Sequence, residues 1–563
     1  MNKIIDCFGK IVKKFPQHIA LVNDTDRMTY SELDLKSTQV ANYLIKNNMS
    51  GKLICLHLES SFELVVCILG VLKSSGSYTC LDTRNPQFRK EMILKYAKAV
   101  ISDRPLNTQK CPVISYDSLF ESSSFEHQVT QNNELMCVIF TSGSTGQPKG
   151  VMLSHDNILS FINTQDDINE NDCMAQFSSI SFDAFQFELW SLLLKGGSLC
   201  FTSPKLLLKR EELQKTVRQQ GITLAFVTSA LVNAGVLTNF IGCPSFRRLY
   251  FGGEQVQPNA IARDFSMLDY ELMHCYGPSE ASVWNVSQLV KEVMDPLPLG
   301  KPLANSKLKL MDQSGREIRE SNTNGEIYLG GDCVAMGYLL DEELTHRNFI
   351  LLSGERYFKT SDIAYWDENR QLIFSHRADN TIKLHGFRIN LGEIDNEMAS
   401  LDAAIQSKTI IHKGELGDLL VTFYCQCEMK EDVLRKKLSS RLPEYMIPNR
   451  LIKIDLFPLT TNGKVDVSVL TEKYITTEPV LIGDEDICDV ILDIWRKLLG
   501  TKNIGYDDKY FEVGGNSVLM LKLHREMIKK FNVKIKMNEL FTSATISQQA
   551  ELINSKISSP YYS

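Results

Sequence analysis

The sequence predicts an α/β protein in which a large first part is followed by a small αβ unit and a helical module. Three observations support this fold class. Strand-like apolar runs alternate with longer helical patterns up to about residue 375. Short strands separated by Gly and Asn turns, typical of a β-rich lobe, begin at about residue 307. Beyond residue 486 the apolar spacing is helical.

The composition limits the function classes. A chain of 563 residues is long enough for several domains. The 61 basic against 68 acidic residues give a net charge of −7, which argues against a nucleic-acid partner. The sequence contains no apolar run long enough to cross a membrane and no signal-like N-terminus, so we expect a cytoplasmic protein without a membrane partner. The 14 cysteines are scattered without any C-x-x-C pair and predict buried free thiols.

The elements of the first part follow from local patterns. The helix expected at 61–76 has helical apolar spacing and a glycine at its end. The apolar runs read as α/β strands are 51–60, 99–102, 135–140, 198–202, 223–229 and 247–253. Those of the β-rich lobe are 307–318, 325–331 and 370–377. The resulting rhythm is that of sheets covered by helices.

Changes in sequence pattern and polarity divide the remaining chain. A helix is predicted at 431–448, within a separate αβ pattern, and residues 471–486 are polar and aperiodic, as in a linker. The predicted domains are 1–378, 379–470 and 487–556, with a linker at 471–486 and a tail at 557–563.

The sharpest local signal is residues 135–155, in which a strand enters a loop rich in glycine and hydroxyl side chains. Its polar members are Thr141, Ser142, Gly143, Ser144, Thr145 and Lys149. Backbone N–H groups, hydroxyls and a lysine together suit a polyphosphate. The loop is not a Walker A motif, because Pro148-Lys149-Gly150 replaces Gly-Lys-Ser/Thr. The alternative is a flexible Ser/Gly surface loop.

With further motifs in order, the chain resembles the AMP-forming adenylating enzymes, which include acyl-CoA synthetases, luciferases and nonribosomal peptide synthetase adenylation domains. The motifs are MTYSEL (28–33), GVLKSSGSYTCLD (70–82), HCYGPSE (274–280), GEIYLGGDCVAMGYL (325–339), YFKTSDIAYW (357–366), HRADNTIKLHGFRINLGEID (376–395), LPEYMIP (442–448) and NGKVD (462–466). The resemblance spans 1–470. It implies a large core of sheets and helices with a β-rich lobe, then a small mobile α+β subdomain.

The resemblance assigns the catalytic residues. A substrate carboxylate attacks the α-phosphate of ATP, so catalysis depends on positioning and on cations. Lys464 matches the family's catalytic lysine, and its alternative is a surface-turn lysine after Asn-Gly. Glu280 matches the residue that helps to hold Mg²⁺, a hard cation that prefers carboxylate oxygen. Asp379 matches the hinge about which the small subdomain rotates, exchanging Lys464 for the loop around Gly386.

The resemblance also assigns nucleotide contacts. Tyr276 is expected to stack on adenine, Asp362 to hold the ribose hydroxyls and Arg377 to bind a nearby oxygen; the alternatives are ordinary loop and surface positions. The other nucleotide positions are Gly253, Glu254, Gly277, Ser279 and Phe374. The chain departs from the pattern at His274, Ser361, His376 and Phe374. Because only glycine is free at positive φ, Ser361 is expected to alter the backbone near the ribose and to tune nucleotide affinity.

Residues 507–531 contain F-x-x-G-G-x-S and resemble a peptidyl carrier domain. In that family the serine, here Ser517, receives 4′-phosphopantetheine, and the domain is a four-helix bundle. Asn516 stands where His or Asp is commoner. The alternative for Ser517 is a helix N-cap.

Asp183 follows a phenylalanine, as does the aspartate that binds the substrate ammonium in the amino-acid-activating branch. Its alternative is a helix-initiating aspartate. The other pocket positions carried over are Ala184, Phe187, Phe226, Tyr250, Gly252, Cys275, Val283, Trp284 and Lys464. Between the charged ends these are apolar or aromatic, which predicts a hydrophobic amino acid: valine or isoleucine first, leucine next.

The sequence thus predicts a nonribosomal peptide synthetase unit that uses ATP and Mg²⁺ to load an amino acid onto its own carrier domain. Its expected partners are a phosphopantetheinyl transferase, a condensation or tailoring enzyme in trans, and in some relatives a small accessory protein. The sequence also predicts no condensation or thioesterase domain. The alternatives are a stand-alone acyl- or aryl-acid ligase and a non-catalytic scaffold.

Overall fold

The computed structural model describes residues 3–120, 133–141, 148–254, 256, 258–378, 381–384, 387–402, 405–414, 417–458, 465, 467–474, 487–501, 504–531, 533, 535 and 537–557. The chain forms two compact bodies, one ending at Arg388 and the other beginning at Ile389. The predicted boundary and hinge at Asp379 lie outside the described residues and stay predictions.

The first body alternates strands and helices over most of its length. Up to residue 162 its elements are α1 (Lys3–Lys14), β1 (Ile19–Val22), β2 (Arg27–Thr29), α2 (Tyr30–Lys46), β3 (Leu53–His57), α3 (Phe62–Lys73), β4 (Ser77–Cys80), α4 (Gln87–Leu94), β5 (Ala99–Ser102), β6 (Val113–Ser115), β7 (Leu135–Thr141), β8 (Lys149–Ser154) and α5 (His155–Ile162). Up to residue 302 they are β9 (Cys173–Gln176), α6 (Ala184–Leu193), β10 (Ser198–Phe201), α7 (Arg210–Gln220), β11 (Leu224–Thr228), α8 (Ser229–Ala234), β12 (Arg248–Gly252), α9 (Pro258–Phe265), β13 (Glu271–Tyr276), β14 (Val286–Leu289) and β15 (Lys301–Pro302).

The next segment is mostly β-structure, as the Gly and Asn turns predict. Its elements are β16 (Ser306–Met311), β17 (Gly325–Gly331), β18 (Gly337–Tyr338), α10 (Glu342–Asn348), β19 (Phe349–Leu352), β20 (Glu355–Trp366), β21 (Leu372–Arg377), β22 (Thr381–Leu384) and β23 (Phe387–Asn390). Within the described ranges, strands β16-β17-β20-β19 form one antiparallel sheet, with β21 paired to β20. The β-rich lobe is confirmed.

Two further sheets organise the α/β part. The first has the order β15-β14-β13-β12-β11-β9-β10-β1-β2, and the second has the order β18-β8-β7-β4-β3-β5-β6. The pairs β11–β12 and β12–β13 are parallel, as are β3–β4 and β3–β5. Helices connect parallel strands, so the predicted α/β class is confirmed.

The core of the first body contains helices whose side chains are buried on almost all sides. Helix α3 buries nearly all of its side chains, and Ser61 caps it by accepting a hydrogen bond from the Leu64 N–H. Gly70 on α3 meets α2 so closely that an added Cβ would lie 2.5 Å from Val40 Cβ. On α6, Trp190 is completely buried.

The second body contains a small sheet and a helical region. Its elements are α11 (Leu391–Leu401), β24 (Gln406–Gly414), β25 (Gly417–Cys425), α12 (Glu431–Ser439), β26 (Arg450–Lys453), α13 (Val467–Tyr474), α14 (Ile487–Leu499), α15 (Ser517–Phe531), α16 (Met537–Thr542) and α17 (Ile546–Ile557). Trp495 on α14 is completely buried, and its indole N–H donates to Gln549 Oε1 on α17 at 2.8 Å. Helical structure after the small unit is therefore confirmed.

Two predicted boundaries in this body are wrong. The helix predicted at 431–448 ends at Ser439, because Pro443 lacks the N–H that a continuing helix needs, and a 3-10 turn follows. Residues 471–474, predicted as the start of the linker, are helical instead, because α13 continues to Tyr474 and buries Leu470. Residues 475–486 lie outside the described part.

All 14 cysteines lie in the described ranges as free thiols, as predicted, and ten of them are buried, whereas Cys7, Cys80, Cys111 and Cys488 are partly exposed. Among the helices of those ranges, none combines the length and apolarity that a membrane crossing requires.

Candidate active site

The ends of β7 and β8 place two residues of the predicted phosphate loop opposite each other. Thr141 pairs with Lys149 across the antiparallel ladder. Ser142, Gly143, Ser144 and Thr145 lie outside the described residues, so their contacts stay predictions.

Lys149 reaches a buried carboxylate. Its Nζ donates to Glu280 Oε1 at 2.7 Å, and Glu280 is completely buried in the turn after β13. A buried carboxylate needs such a partner, because removing a charge from water is costly. The arrangement brings together the residues predicted to bind phosphate and metal.

Tyr338 completes this cluster and was not assigned from sequence. Its hydroxyl donates to Glu280 Oε1 at 2.8 Å and accepts from Lys149 Nζ at 3.1 Å. The ammonium also lies 4.6 Å from the centre of the tyrosine ring, a cation–π distance. Tyr338 stands near the end of the GEIYLGGDCVAMGYL motif, so the motif was the available signal.

A second cluster joins β13, β20 and β21. Arg377 donates to Asp362 Oδ1 at 2.6 Å, and the Tyr276 hydroxyl donates to Asp362 Oδ2 at 2.6 Å. Burial, together with the adjacent Asp362 charge, raises the pKa of Tyr276 well above its ordinary value. The three predicted nucleotide residues therefore lie together, with the carboxylate held at both oxygens. Stacking of Tyr276 on adenine stays a prediction.

Phe374 and the Gly252–Gly253 pair lie beside these clusters. Phe374 packs against the lobe core that includes Tyr276. A Cβ on Gly252 would lie 2.3 Å from the Cys275 carbonyl oxygen, so the close approach of β12 and β13 requires glycine. Gly253 has φ +100°, and Glu254 follows it at the end of the described segment.

Two departures from the family pattern have clear surroundings. Ser361 stands where the family pattern has glycine, and its φ of +60° lies in the left-handed region that favours glycine. The His274 ring stacks on Phe251 with centroids 4.9 Å apart, and its Nδ1–H donates to the Pro298 carbonyl at 2.9 Å. Burial lowers the pKa of His274 to about 4, so this ring is neutral at neutral pH.

Asp183 lies at the start of α6 and is hydrogen-bonded to the turn that follows β13. Its Oδ1 accepts from the Ala184 N–H at 2.8 Å, and its Oδ2 accepts from the Ser279 hydroxyl. The helix-initiating contact allowed by the sequence is thus present, together with a link to the turn that contains Glu280. Its contact with a substrate ammonium stays a prediction.

Aromatic side chains from four elements meet beside Asp183. Phe187 lies one turn further along α6. The centre of its ring is 4.5 Å from the ring centre of Trp284 and 4.9 Å from that of Tyr250. Phe226 on β11 pairs in register with Tyr250 on β12. Because the two residues are paired in parallel neighbouring strands, their side chains lie on the same face of the sheet.

The smaller pocket positions complete this surface. Ala184 is buried beside Asp183, Cys275 pairs with Gly252, and Val283 precedes Trp284. The pocket positions predicted from sequence, Lys464 excepted, therefore lie on neighbouring elements of the first body.

Glu188 was also missed from sequence. It is completely buried on α6, and its Oε1 accepts from the N–H groups of Phe177 and Ser178 at 3.2 and 3.1 Å and from the Ser178 hydroxyl at 2.8 Å. Burial raises the pKa of Glu188 to about 7. A glutamate within an apolar helix was the available signal.

In the second body, the backbone before α15 requires glycine. Gly514 has φ +103°, and a Cβ on Gly515 would lie 2.3 Å from the Tyr510 ring. Asn516 Oδ1 accepts from the Leu519 N–H at 2.9 Å, so Asn516 caps α15. Ser517 is the first residue of α15.

Lys464, Asp379 and Gly386 lie outside the described residues, so their predicted roles are untested. Within the described ranges, no group of three or more His, Cys, Asp or Glu side chains forms a metal site. A magnesium ion carried by a nucleotide needs fewer protein ligands, and the buried Glu280 carboxylate offers the hard oxygen that it prefers.

Comparison with protein families gives two matches. Residues 8–339 match the AMP-binding enzyme family, and residues 489–553 match the phosphopantetheine attachment site family.

Curated relatives include bacitracin synthase 3 of Bacillus licheniformis, 31% identical over 99% of this chain and 9% of that synthase. Gramicidin S synthase 2 of Brevibacillus brevis is 30% identical over 97% of this chain and 13% of that synthase. The chain thus spans a small fraction of the curated relatives that it matches.

Solved structures with the same fold include holo-PA1221, a nonribosomal peptide synthetase protein containing adenylation and carrier domains and bound to a vinylsulfonamide inhibitor. The TM-score is 0.83 at 23% identity, over 98% of this chain and 96% of that one. The artificial adenylation–carrier fusion NpsA-ThdA from Klebsiella oxytoca has a TM-score of 0.73 at 24% identity, over 80% of this chain and 93% of that one.

Proposed function

The chain belongs to the AMP-binding enzyme family, and we propose that it activates a hydrophobic amino acid with ATP and loads it onto its own carrier domain. The observation that carries this proposal is the presence of both family matches in one chain. In the first half-reaction the amino acid carboxylate attacks the α-phosphate, forming an aminoacyl-adenylate as pyrophosphate leaves. In the second, a thiol attacks the carbonyl carbon and AMP leaves.

The described residues suit the first half-reaction. Lys149 and Glu280 would hold the phosphates and Mg²⁺, which supplies charge neutralisation when bound. Tyr338 orients both side chains, since its hydroxyl and ring contact them. Asp362 and Arg377 would hold the ribose. Lys464, outside the described residues, is proposed to bind the reacting carboxylate and the phosphate.

Asp183 and the aromatic surface support an amino acid substrate with a hydrophobic side chain. Asp183 supplies the anion for an ammonium, and Phe187, Phe226 and Trp284 supply no charged partner for a side chain. A charged side chain there would be left unpaired, at a cost of several kcal/mol. We expect valine or isoleucine first and leucine next, with relaxed selectivity among them, because one methylene is worth only about 1–3 kcal/mol.

Ser517 is the proposed attachment residue for 4′-phosphopantetheine, which supplies the acceptor thiol. This assignment is supported by the glycine-dependent turn at Gly514 and Gly515 and by the cap at Asn516, which directly precede Ser517, the first residue of α15. This carrier role implies a phosphopantetheinyl transferase and downstream synthetase partners. We propose the cytoplasm as its location.

The proposal is tested by amino-acid-dependent ATP–pyrophosphate exchange with all twenty amino acids. The expected result is a peak at valine, isoleucine or leucine that Lys464→Ala and Asp183→Asn both abolish. Asp183→Asn is the sharper variant, because asparagine keeps an oxygen for the Ala184 N–H but loses the charge. Exchange with fatty or aryl acids only would favour an acyl- or aryl-acid ligase.

The carrier role is tested separately. After treatment with a phosphopantetheinyl transferase and coenzyme A, intact mass spectrometry is expected to show one added phosphopantetheinyl group, absent from Ser517→Ala. Ser517→Ala is expected to retain pyrophosphate exchange, because that reaction precedes thioester formation. Exchange without any carrier loading would refute the carrier half of the proposal.

A further inference from the structure

Trp284 is the central ring of the aromatic cluster beside Asp183. The indole is 3% exposed. Its ring centre lies 4.5 Å from Phe187, 6.0 Å from Phe226 and 6.0 Å from Tyr250. The orientation of the indole therefore fixes the shape of the proposed side-chain pocket.

The main chain of Trp284 is fixed by a close contact with Gly277 and by the two residues that precede it. A Cβ on Gly277 would lie 2.4 Å from Trp284 Cα, so the two backbones are already in close contact. Ser282 and Val283 both have positive φ, at +59° and +76°. Such strained backbone persists only where the surroundings define it fully. The main chain is thus fixed, and the side-chain neighbours decide where the indole lies.

Phe161 contacts the indole from outside the predicted pocket positions. It is 2% exposed on α5, an element that contributes none of those positions. Its ring meets Trp284 at 4.8 Å with an interplanar angle of 88°, and Phe187 at 6.2 Å with an angle of 71°. Edge-to-face pairs of this kind prefer one geometry, so Phe161 limits the movement of both rings.

We propose that Phe161 is a positioning residue that sets the size of the amino acid side chain accepted by the enzyme, by holding Trp284 and Phe187 against the pocket. The inference rests on the proposed function. Truncating Phe161 leaves an apolar space that water does not fill, because apolar cavities of this kind stay dry. The indole and the Phe187 ring can then withdraw into it, and the pocket accepts bulkier side chains.

The test compares ATP–pyrophosphate exchange of the full chain and of Phe161→Ala with valine, leucine and phenylalanine. The ratio of kcat/KM for leucine or phenylalanine to that for valine is expected to rise about tenfold in Phe161→Ala, within the range that apolar pockets discriminate. The KM for ATP is expected to stay unchanged, because the ring contacts of Phe161 are with Trp284 and Phe187 on the amino acid side of the site. Phe161→Met, which refills most of the volume, is expected to restore the original ratio.

Phe240→Ala is the matched control. Phe240 is completely buried in the same body and stacks on Phe246 at 4.5 Å, in a separate aromatic group. It is expected to lower stability without changing the amino acid ratio. An unchanged ratio in Phe161→Ala and in the milder Phe161→Leu, or an equal change in Phe240→Ala, would overturn the inference. Absence of exchange by the unmodified chain with every amino acid would instead refute the proposed function, and the inference with it.

Discussion

His274 is expected to make the first body less stable in mild acid. Its folded-state pKa is about 4, against about 6.5 in an unfolded chain, because burial opposes the charged ring. The unfolded state therefore binds the proton first. The stabilisation by the neutral ring is complete above about pH 6.5 and is lost as the pH falls towards 4. The difference of about 2.5 pH units corresponds to about 3 kcal/mol, of which about 2 kcal/mol is lost by pH 5.

His274→Asn tests this magnitude, because asparagine does not titrate and its amide can still donate to the Pro298 carbonyl. Between pH 7.5 and 5.0 the natural chain should lose about 2 kcal/mol more than the variant. The measurement is native-state hydrogen exchange of peptides covering β13, corrected for the intrinsic pH dependence. A local probe is needed because a chain of two bodies need not unfold in one transition.

The comparison also separates His274 from a second buried histidine. Burial lowers the pKa of His57 to about 4 as well, so the natural chain has a further acid-sensitive group. His57 is unchanged in both proteins, and its contribution cancels in the difference. His346→Asn, on exposed α10, controls for the substitution itself. Identical pH dependence in the natural chain and in His274→Asn would refute the reasoning.

Three further substitutions test the nucleotide clusters. Asp362→Asn should lower the local stability of β20 by about 3 kcal/mol, because it removes the carboxylate charge that pairs with the Arg377 guanidinium, a side chain only 11% exposed. The double variant Asp362→Asn/Arg377→Gln should recover part of the hydrogen-exchange protection of β20. In ATP–pyrophosphate exchange, Tyr338→Phe should lower kcat/KM for MgATP about tenfold and leave the KM for the amino acid unchanged. Tyr30→Phe also loses a buried hydroxyl, and as the control it should change neither constant. Ser361→Gly should stabilise β20 by up to about 1 kcal/mol in hydrogen exchange, because glycine accepts φ +60° without strain.

The fold class could be predicted because it depends on local pattern, and the grouping of site residues could be predicted because short motifs resemble those of a known family. Alternating strand and helix signals predict the α/β part, and turn residues predict the β-rich lobe. The loop before β8 and the turn at Glu280 are each a short motif. The family resemblance then places residues such as Asp183 and Asp362 in one site, and the structure brings each beside its expected neighbours.

The contacts that the sequence did not predict join residues far apart in the chain. Tyr338 meets Lys149 across 189 positions, and no local pattern encodes that distance.

The predicted helix from 431 ended early because a single proline outweighs the apolar spacing. The sequence considered a cap at Ser517, and the structure shows that the preceding Asn516 caps α15. Each of these outcomes depends on which competing hydrogen bond forms in the folded chain.

The two sides of the proposed reaction share one stretch of backbone. The Asn285 N–H donates to the Tyr276 carbonyl at 2.9 Å, so the turn leading to Trp284 folds back onto the nucleotide strand. Val283, at φ +76°, stores backbone strain of about 1–3 kcal/mol in this turn. A substitution that relaxed the turn would move Tyr276 and Trp284 together, and would change ATP and amino acid binding at once. Phe161 contacts the indole and the Phe187 ring through its own ring, so a substitution there is expected to change amino acid selectivity while ATP binding is kept.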